Sequence, residues 1–271
     1  MAGRKRKVQD LAVATAAVTH KESDLVLLRT KSERNRRASA KVTSQSVPCE
    51  SVQRFEPERS HYFNGEPRRR LEQDFYSQPC ISLAKAFLGK VLVRRCADGS
   101  ELRGRIVETE AYLGGEDKAS HSAGGKRTER NTAMFMKPGE GAAVLLRSLE
   151  PLQGQSAMRK LRAARRQEGA RQLKDKELCN GPSKLCQALN IPRCFDRRDL
   201  ASDPEVWLEA DESPPKPQDI VSAPRIGIES HGEWAKKPWR FYLRGHPCVS
   251  VVNKEAERRS LSVNAADSSD P

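Results

Sequence analysis

Hydrophobic positions early in the ordered part of the chain predict a helix followed by a hairpin. Apolar residues recur at helical spacing over residues 81–88, and Gly89 ends that helix. The run Val91–Val93 reads as a strand that turns at Asp98-Gly99 into a second strand, Glu101–Tyr112. The Asp-Gly pair supports this hairpin because it supplies the positive φ that the turn requires.

The remainder of the chain predicts further helices and strands separated by loops. Residues 114–139 and 211–219 are rich in loop-forming residues, and a helix over 173–179 breaks at Asn180-Gly181 and restarts at Pro182. No internal repeat is visible, and the mixture of elements predicts an α+β domain. The other predicted elements are a buried strand over 143–149, a basic helix over 156–166, and strands over 226–228, 241–243 and 249–252.

Polar composition predicts that both ends of the chain lie outside the folded domain. Residues 1–70 lack a sustained apolar period, so we expect a disordered basic tail there. The domain extends over 71–253, and residues 254–271 form a second frayed tail. Arg4–Lys7 is typical of a nuclear import signal, although a solvated charge cluster has the same composition.

The charge of the chain favours a polyanionic partner. The 271 residues include 49 Lys and Arg against 36 Asp and Glu, a net charge of +13. Such a charge attracts nucleic acid but is equally compatible with a merely soluble basic protein. No apolar run reaches the roughly 20 residues of a membrane helix, so neither a membrane nor a secretory location is expected. The seven cysteines show no zinc-site spacing and indicate reduced thiols.

Side chains along the strand Glu101–Tyr112 suggest one candidate site. Because strand residues alternate faces, Glu110 and Tyr112 share a side with Ile106 and Glu108. A carboxylate beside an aromatic ring fits a site where a base stacks and a water is deprotonated; an ordinary exposed strand edge has the same pattern.

Three other features are compatible with ligand contacts and with plainer roles. His121 is a lone loop histidine, and such residues are commonly bystanders. Gly181–Leu185 offers backbone N–H groups and a lysine at a helix start, which suits a phosphate or simple capping. The helix segment Met158–Arg166 carries cations on several faces, which suggests contacts with backbone phosphates.

The order of several motifs strongly resembles the alkyladenine (3-methyladenine) DNA glycosylase family. The resemblance covers roughly Leu71 to Asn253. It is carried by Arg103–Gly114, Glu116-Asp117, Ala119–Ser122, Arg130-Asn131, Met134–Gly139, Val144–Arg147, Glu150-Pro151, Gly181–Leu185 and Arg225–Gly227.

The resemblance implies a monofunctional glycosylase that flips alkylated or deaminated purines out of duplex DNA and hydrolyses the N-glycosidic bond. The implied fold is a single compact α+β domain with a curved, mainly antiparallel sheet surrounded by helices. Glu110 matches the general base, aided by Arg147 and the backbone carbonyl of Ile226. Tyr112 and His121 match the residues that sandwich the flipped base, and the backbone around Ala119 reads its edge.

The resemblance also implies partners and surroundings for the enzyme. We expect a monomer that needs no metal or cofactor and binds double-stranded DNA carrying damaged purines. The expected location is nuclear, with a mitochondrial pool as the alternative, and the N-terminal tail is the expected contact for other repair proteins. The implied DNA contacts are Lys126, Thr128, Arg130, Arg162, Lys174, Ser183, Lys184 and Arg193.

One departure from the family pattern stands out between Gly139 and Glu140. In the family a tyrosine-rich β-hairpin of about 20 residues, two strands and a turn, follows the Met-Lys-Pro-Gly motif. Here that motif passes almost directly into the strand that ends at Arg147. The missing hairpin would carry the tyrosine wedged into the duplex, so a catalytically impaired DNA-binding protein is the alternative function. An RNA-binding protein fits less well, because only 5% of the residues are aromatic.

Overall fold

The sheet of this protein is built around one long strand. A computed structural model describes Arg59 and residues 68–136, 141–164, 166–167, 169–211 and 214–267, with side chains described to Leu261. The predicted nuclear signal at Arg4–Lys7, almost all of the predicted tail 1–70, and the Gly139–Glu140 junction lie outside these residues. The described part contains strands β1 (Val91–Arg95), β2 (Glu101–Tyr112), β3 (Ala143–Gln153), β4 (Val206–Glu209), β5 (Ile220–Ala223) and β6 (Arg240–Leu243).

Every pairing between these strands is antiparallel. The sheet order is β4-β1-β2-β6-β5, and β3 pairs along the other edge of β2. The N-terminal half of β2 pairs with β1, and its C-terminal half pairs with β6 at Glu108, Thr109 and Glu110. The C-terminal half of β2 therefore lies between β3 and β6, which places Glu110 inside the sheet.

Short helices surround the sheet and cover its apolar face. They are α1 (Gln73–Tyr76), α2 (Cys80–Ala86), α3 (Gln155–Ala163), α4 (Asp175–Leu178), α5 (Pro182–Ala188), α6 (Glu233–Lys236) and α7 (Lys254–Asp267). The main core packs Phe87 and Leu88 against Leu146 and Leu149 of β3. The α+β class predicted from the sequence is confirmed.

Several predicted elements are confirmed with changed bounds. The hairpin turn has Gly99 at φ +80°, and Gly89 lies at φ +82° shortly after α2. The basic helix is shorter than predicted and ends at Ala163, and the predicted helix over 173–179 is only the single turn α4. Residues 114–136 are mostly loop, as predicted, with a 3-10 helix over Glu129–Phe135.

Two predicted strands are wrong. Residues 226–228 form a bend, because Pro224 cannot extend the pairing of β5 and Gly227 turns the chain at φ +80°. Residues 249–252 are also irregular. There the backbone N–H of Ser250 donates to Glu108 Oε2 at 2.7 Å and the carbonyl of Val251 accepts from Arg240, so side chains take the place of ladder partners.

The predicted frayed tail after Asn253 is wrong for residues 254–267, which form α7. Asn253 caps this helix, since its Oδ1 accepts the N–H of Ala256 at 2.9 Å. Ala256 packs into a second core cluster with Val107, Val221 and Tyr242. Arg244 also donates to the carbonyl of Glu257 at 2.9 Å and to the hydroxyl of Ser260 at 2.6 Å, so a cap, a buried small residue and one arginine hold this polar segment.

Candidate active site

A β-bulge in β2 sets which side chains face the site. Ile106 and Ala111 lie in the same core cluster although five positions separate them, which strict alternation forbids. The pairing with β3 slips between Ile106 and Glu108, so Val107 is the extra residue. The prediction that Ile106 shares a face with Glu110 is therefore wrong. Glu108 and Glu110 do lie on one side, because both carboxylates approach the Arg147 guanidinium.

The carboxylate of Glu110 is fully buried and is held by three donors. Arg147 Nη1 lies 3.2 Å from Glu110 Oε1, and the backbone N–H of Ile226 donates to the same oxygen at 2.8 Å. The hydroxyl of Tyr112 donates to Glu110 Oε2 at 2.8 Å. The structure thus brings Arg147 and Ile226, which are 37 and 116 positions from Glu110 in the sequence, to the neighbouring pair Glu110 and Tyr112.

Burial raises the pKa of Glu110 above that of an exposed glutamate, since desolvation disfavours its charged form. The charge of Arg147 and the hydrogen bonds from Ile226 and Tyr112 oppose this shift, whereas the charge of Glu108 adds to it. A carboxyl group whose pKa is raised in this way is a better proton acceptor than an exposed one, as general base catalysis requires.

Arg147 lies between two buried carboxylates. Its Nε atom is 3.5 Å from Glu108 Oε1, and its Nη1 atom is 3.2 Å from Glu110 Oε1. Glu108 is held in turn by Arg240, whose Nη1 atom donates to Glu108 Oε1 at 2.8 Å. The sequence analysis gave Glu108 and Arg240 no role. Strand alternation already put Glu108 on the side of Glu110, but no local signal in the sequence indicated that Arg147 and Arg240 would pair with it.

Ile226 reaches Glu110 because it is not in a strand. A residue inside a sheet uses its N–H in the ladder, whereas the bend after Pro224 leaves the N–H of Ile226 directed at the carboxylate. The resemblance implied a role for the carbonyl of Ile226. The contact that the structure gives is through the N–H group.

The loop that carries Ala119 and His121 is fixed by buried polar groups. The N–H of Ala119 donates to Asp117 Oδ1 at 3.1 Å, and the carbonyl of His121 accepts from Asn131 Nδ2 at 2.9 Å. Ser122 donates its hydroxyl proton to the carbonyl of Gly141, two residues before β3. The backbone beside the exposed His121 side chain is therefore held at defined positions.

Most residues implied to contact DNA are exposed or half-buried, and two groups of them are adjacent. Arg197 donates to the carbonyl of Glu129, which joins the loop of Lys126, Thr128 and Arg130 to the 3-10 turn of Arg193. This contact brings the two segments that carry these residues next to each other.

The other implied DNA contacts lie on the connection between α3 and α5. Lys174 is exposed at the start of α4, and Ser183 is half-buried in α5. Lys184 Nζ contacts Asn180 Oδ1 at 2.8 Å, and partial burial lowers its pKa. Arg162 differs from the prediction, because it is buried and donates to the carbonyl of Leu178. Its guanidinium holds α4 and does not face solvent, so we leave it out of the proposed contacts.

No helix in the described ranges is long and apolar enough to cross a membrane. Among the same residues, no group of three or more His, Cys, Asp or Glu side chains is arranged to hold a metal ion.

Comparison with known proteins gives a family. The model of the methylpurine-DNA glycosylase family matches residues 74–141 and 137–247. A protein named DNA-3-methyladenine glycosylase from Homo sapiens is 53% identical over 225 residues, covering 74% of this chain and 76% of the relative. The Mus musculus protein of that name is 54% identical, covering 74% and 67%. A probable DNA-3-methyladenine glycosylase from Encephalitozoon cuniculi is 45% identical, covering 65% and 90%.

The extent of these matches places every residue of the carboxylate site inside the shared region. The two matched segments of the family model meet at residues 137–141, next to the predicted departure from the family pattern. Glu110, Tyr112, Arg147 and Ile226 all fall within the matched ranges. The chain belongs to the methylpurine-DNA glycosylase family, and so to the DNA repair glycosylases.

Proposed function

We propose that this chain excises alkylated and deaminated purines, such as 3-methyladenine, 7-methylguanine, ethenoadenine and hypoxanthine, from duplex DNA. The observation that carries the proposal is the buried carboxylate of Glu110 with Arg147, Ile226 and Tyr112 bonded to it. The names of the relatives support 3-methyladenine as one substrate. The bond between a purine and its sugar is inaccessible in the base stack, so the damaged nucleotide first swings out of the duplex.

In the proposed reaction Glu110 removes a proton from a water molecule that attacks C1′ of the sugar. The water oxygen bonds to C1′ as the bond from C1′ to the purine nitrogen breaks, and that electron pair leaves with the purine. Tyr112 and Ile226 each occupy a lone pair of the carboxylate and so fix its orientation. The cation of Arg147 favours the ionised form of Glu110, the form that accepts a proton from water. No lysine takes the nucleophile role, so the product is an abasic site in an intact strand.

A product assay tests this proposal. Duplex oligonucleotides with ethenoadenine, hypoxanthine or an undamaged adenine at one position are incubated with the protein and with Glu110→Gln. We expect release of the damaged bases, retention of adenine, and strand breaks only after alkali treatment. Gln is a matched control, because its amide oxygen accepts from Arg147 and Ile226 and its amide nitrogen donates to Tyr112. Equal release by both proteins would overturn the role of Glu110.

A second candidate function is lesion-independent DNA binding by a protein that has lost the wedge hairpin. The alignment with the Homo sapiens relative spans 225 positions but only 74% of these 271 residues, about 200. About 25 positions of the relative therefore have no counterpart, which supports the loss of a hairpin where the two segments of the family match meet. The basic side chains that are expected to contact phosphates would survive that loss. The wedge that keeps a nucleotide flipped out of the duplex would be absent.

Titrations at fixed salt separate the two candidates. A glycosylase without its wedge is expected to bind an ethenoadenine duplex more tightly than the undamaged duplex, because it retains Tyr112 and His121, the residues that the resemblance assigns to the base pocket. A lesion-independent binder gives equal Kd values for both duplexes and a strong salt dependence. Inserting the corresponding segment of the Homo sapiens relative after Gly139 is expected to increase excision. No gain from the insertion would contradict the loss of a wedge.

A further inference from the structure

Two buried charged residues that have no role in the proposed reaction form an ion pair, and one of them lies against the ring of Tyr112. Asp117 and Arg225 are 108 positions apart, and both side chains are fully buried. Arg225 Nη1 donates to Asp117 Oδ2 at 2.6 Å and Nη2 donates to Oδ1 at 2.8 Å, a two-pronged pair. This pair joins the loop after β2 to the bend that contains Ile226.

Asp117 fixes both ends of the loop that leads to the proposed base pocket. Its Oδ2 atom also accepts the N–H of Leu113 at 3.1 Å, and its Oδ1 atom accepts the N–H of Ala119 at 3.1 Å. The backbone N–H of Asp117 donates to the carbonyl of Gly114 at 2.7 Å. The carboxylate can hold this geometry only while its charge is compensated, which Arg225 provides.

Arg225 also determines which face of the Tyr112 ring is open to a stacking base. Its guanidinium carbon lies 4.5 Å from the centroid of the Tyr112 ring and 5.1 Å from that of Trp239. Further donors of the guanidinium bind the carbonyl of Ala111 at 3.0 Å and that of Trp234 at 3.3 Å. Because the cation covers one face of Tyr112, a purine can stack only on the opposite face.

We propose that Arg225 is a positioning residue that holds the Tyr112 ring and the 113–119 loop in the arrangement that receives the flipped purine. The inference rests on the proposed function, since it names what presents the base-stacking ring. Energetics favour positioning over stabilisation, because a buried ion pair is commonly no more stabilising than apolar residues of similar volume. The next residue, Ile226, binds Glu110, so Arg225 fixes the stacking ring and the catalytic carboxylate through one short segment.

The substitution Arg225→Lys tests the proposal, because lysine keeps the charge but loses the planar stack and the two-pronged bond. The matched control is Arg105→Lys. Arg105 lies in the N-terminal half of β2 and pairs with Glu150 and Asp211 at 2.8 Å each. Three readouts are compared: amide hydrogen exchange at Leu113 and Ala119, the emission of ethenoadenine in a bound duplex, and single-turnover excision.

We expect Arg225→Lys to speed exchange at both amides, to abolish the emission change that accompanies stacking of ethenoadenine, and to slow excision about 10- to 100-fold. Affinity for undamaged duplex should stay within about 2-fold, as expected for a residue that touches no phosphate. Arg105→Lys should leave all three readouts unchanged. If Arg225→Lys does not fold, Asp117→Asn replaces it, since Asn keeps one acceptor and loses the charge.

Wild-type exchange rates and a wild-type emission change in the folded Arg225→Lys protein would overturn the proposal. These two readouts do not require base release. A wild-type protein that stacks ethenoadenine without excising it would therefore count against the proposed function and leave the role of Arg225 standing.

Discussion

Burial and hydrogen bonding act in opposite directions on the carboxylate of Glu110. Desolvation raises its pKa, while Arg147, Ile226 and Tyr112 favour the charged form. Because only the ionised carboxylate can accept a proton from water, excision should slow as the pH falls through this raised pKa. The contribution of Glu110 to folding stability has the opposite dependence on pH. The folded state holds the proton more tightly than the unfolded state, so the contribution of Glu110 to stability is lost as the pH rises through the folded pKa.

Glu108→Gln should move the acid limb of the excision profile to lower pH. The charge of Glu108 is one of the causes that raise the pKa of Glu110, and the substitution removes it. Single-turnover rates between about pH 4 and 8 measure the shift. Arg103→Gln is the control, since it removes a charge that pairs with Glu101 and Glu209 near the other end of β2. An unchanged midpoint in Glu108→Gln would contradict the coupling of the two carboxylates.

Tyr112→Phe should shift the same limb in the opposite direction. The phenol donates to Glu110 Oε2 and lowers the pKa of that carboxyl, so its loss raises the midpoint. The substitution retains the ring on which the base stacks, so lesion affinity is expected to stay within about 3-fold of the wild type. That change is smaller than the loss of roughly 1–3 kcal/mol in binding free energy that removing a base-stacking ring causes. A large loss of affinity with no change in midpoint would show that the hydroxyl serves the base and not Glu110.

At the scale of elements, the sequence predicted the central strands because their apolar and turn residues are local signals. Alternation correctly put Glu110 and Tyr112 on one side. It could not predict the bulge at Val107, because a bulge depends on pairing with β3, which is more than thirty positions away. The bend at Ile226 is another tertiary effect, since its N–H is used by Glu110. Helix α7 was predictable in part, because Asn253 followed by Glu255 and Glu257 is a typical helix start.

Packing between the loop after β2 and the start of β3 gives a prediction about two neighbouring glycines. A Cβ atom on Gly114, at φ +71°, would lie 2.6 Å from the carbonyl carbon of Gly141. Gly115 has φ +45° and no heavy atom within 4 Å of such a Cβ. Urea unfolding should show a loss of about 1–2 kcal/mol for Gly115→Ala, from backbone conformation alone. Gly114→Ala should lose more and also slow excision, because it displaces the loop that Asp117 holds. Equal losses would contradict a close approach at Gly141.

At the scale of the whole molecule, the net charge of +13 is the feature that the sequence conveys most directly. Composition cannot show where that charge is concentrated. The contact between Arg197 and Glu129 supplies part of this information, because it joins the segment that contains Arg193 to the loop that contains Lys126 and Arg130. Arg162 shows the opposite case, a cation on a basic helix whose charge is used internally.

This arrangement predicts which cationic side chains contribute to the salt dependence of DNA binding. Lys126→Ala and Arg193→Ala should each reduce the slope of log K against log salt by about 1, as expected for the loss of one phosphate contact. Arg95→Ala is the control. Arg95 is an exposed cation at the far end of the β1–β2 hairpin from Tyr112, and its loss should leave the slope unchanged. Equal effects of all three substitutions would indicate a response to net charge alone.

The central claim is that the buried carboxylate of Glu110 activates the water that releases a damaged purine. The single-turnover excision rate of a hypoxanthine duplex, measured for the wild type and Glu110→Gln at matched folded fractions, tests it most directly. We predict a loss of about 100- to 10,000-fold in Glu110→Gln, the range for a missing general base. Because Glu110→Gln removes a buried charge, the unfolding free energy of this variant at neutral pH should be no lower than that of the wild type. An excision rate within 2-fold of the wild type would contradict the claim.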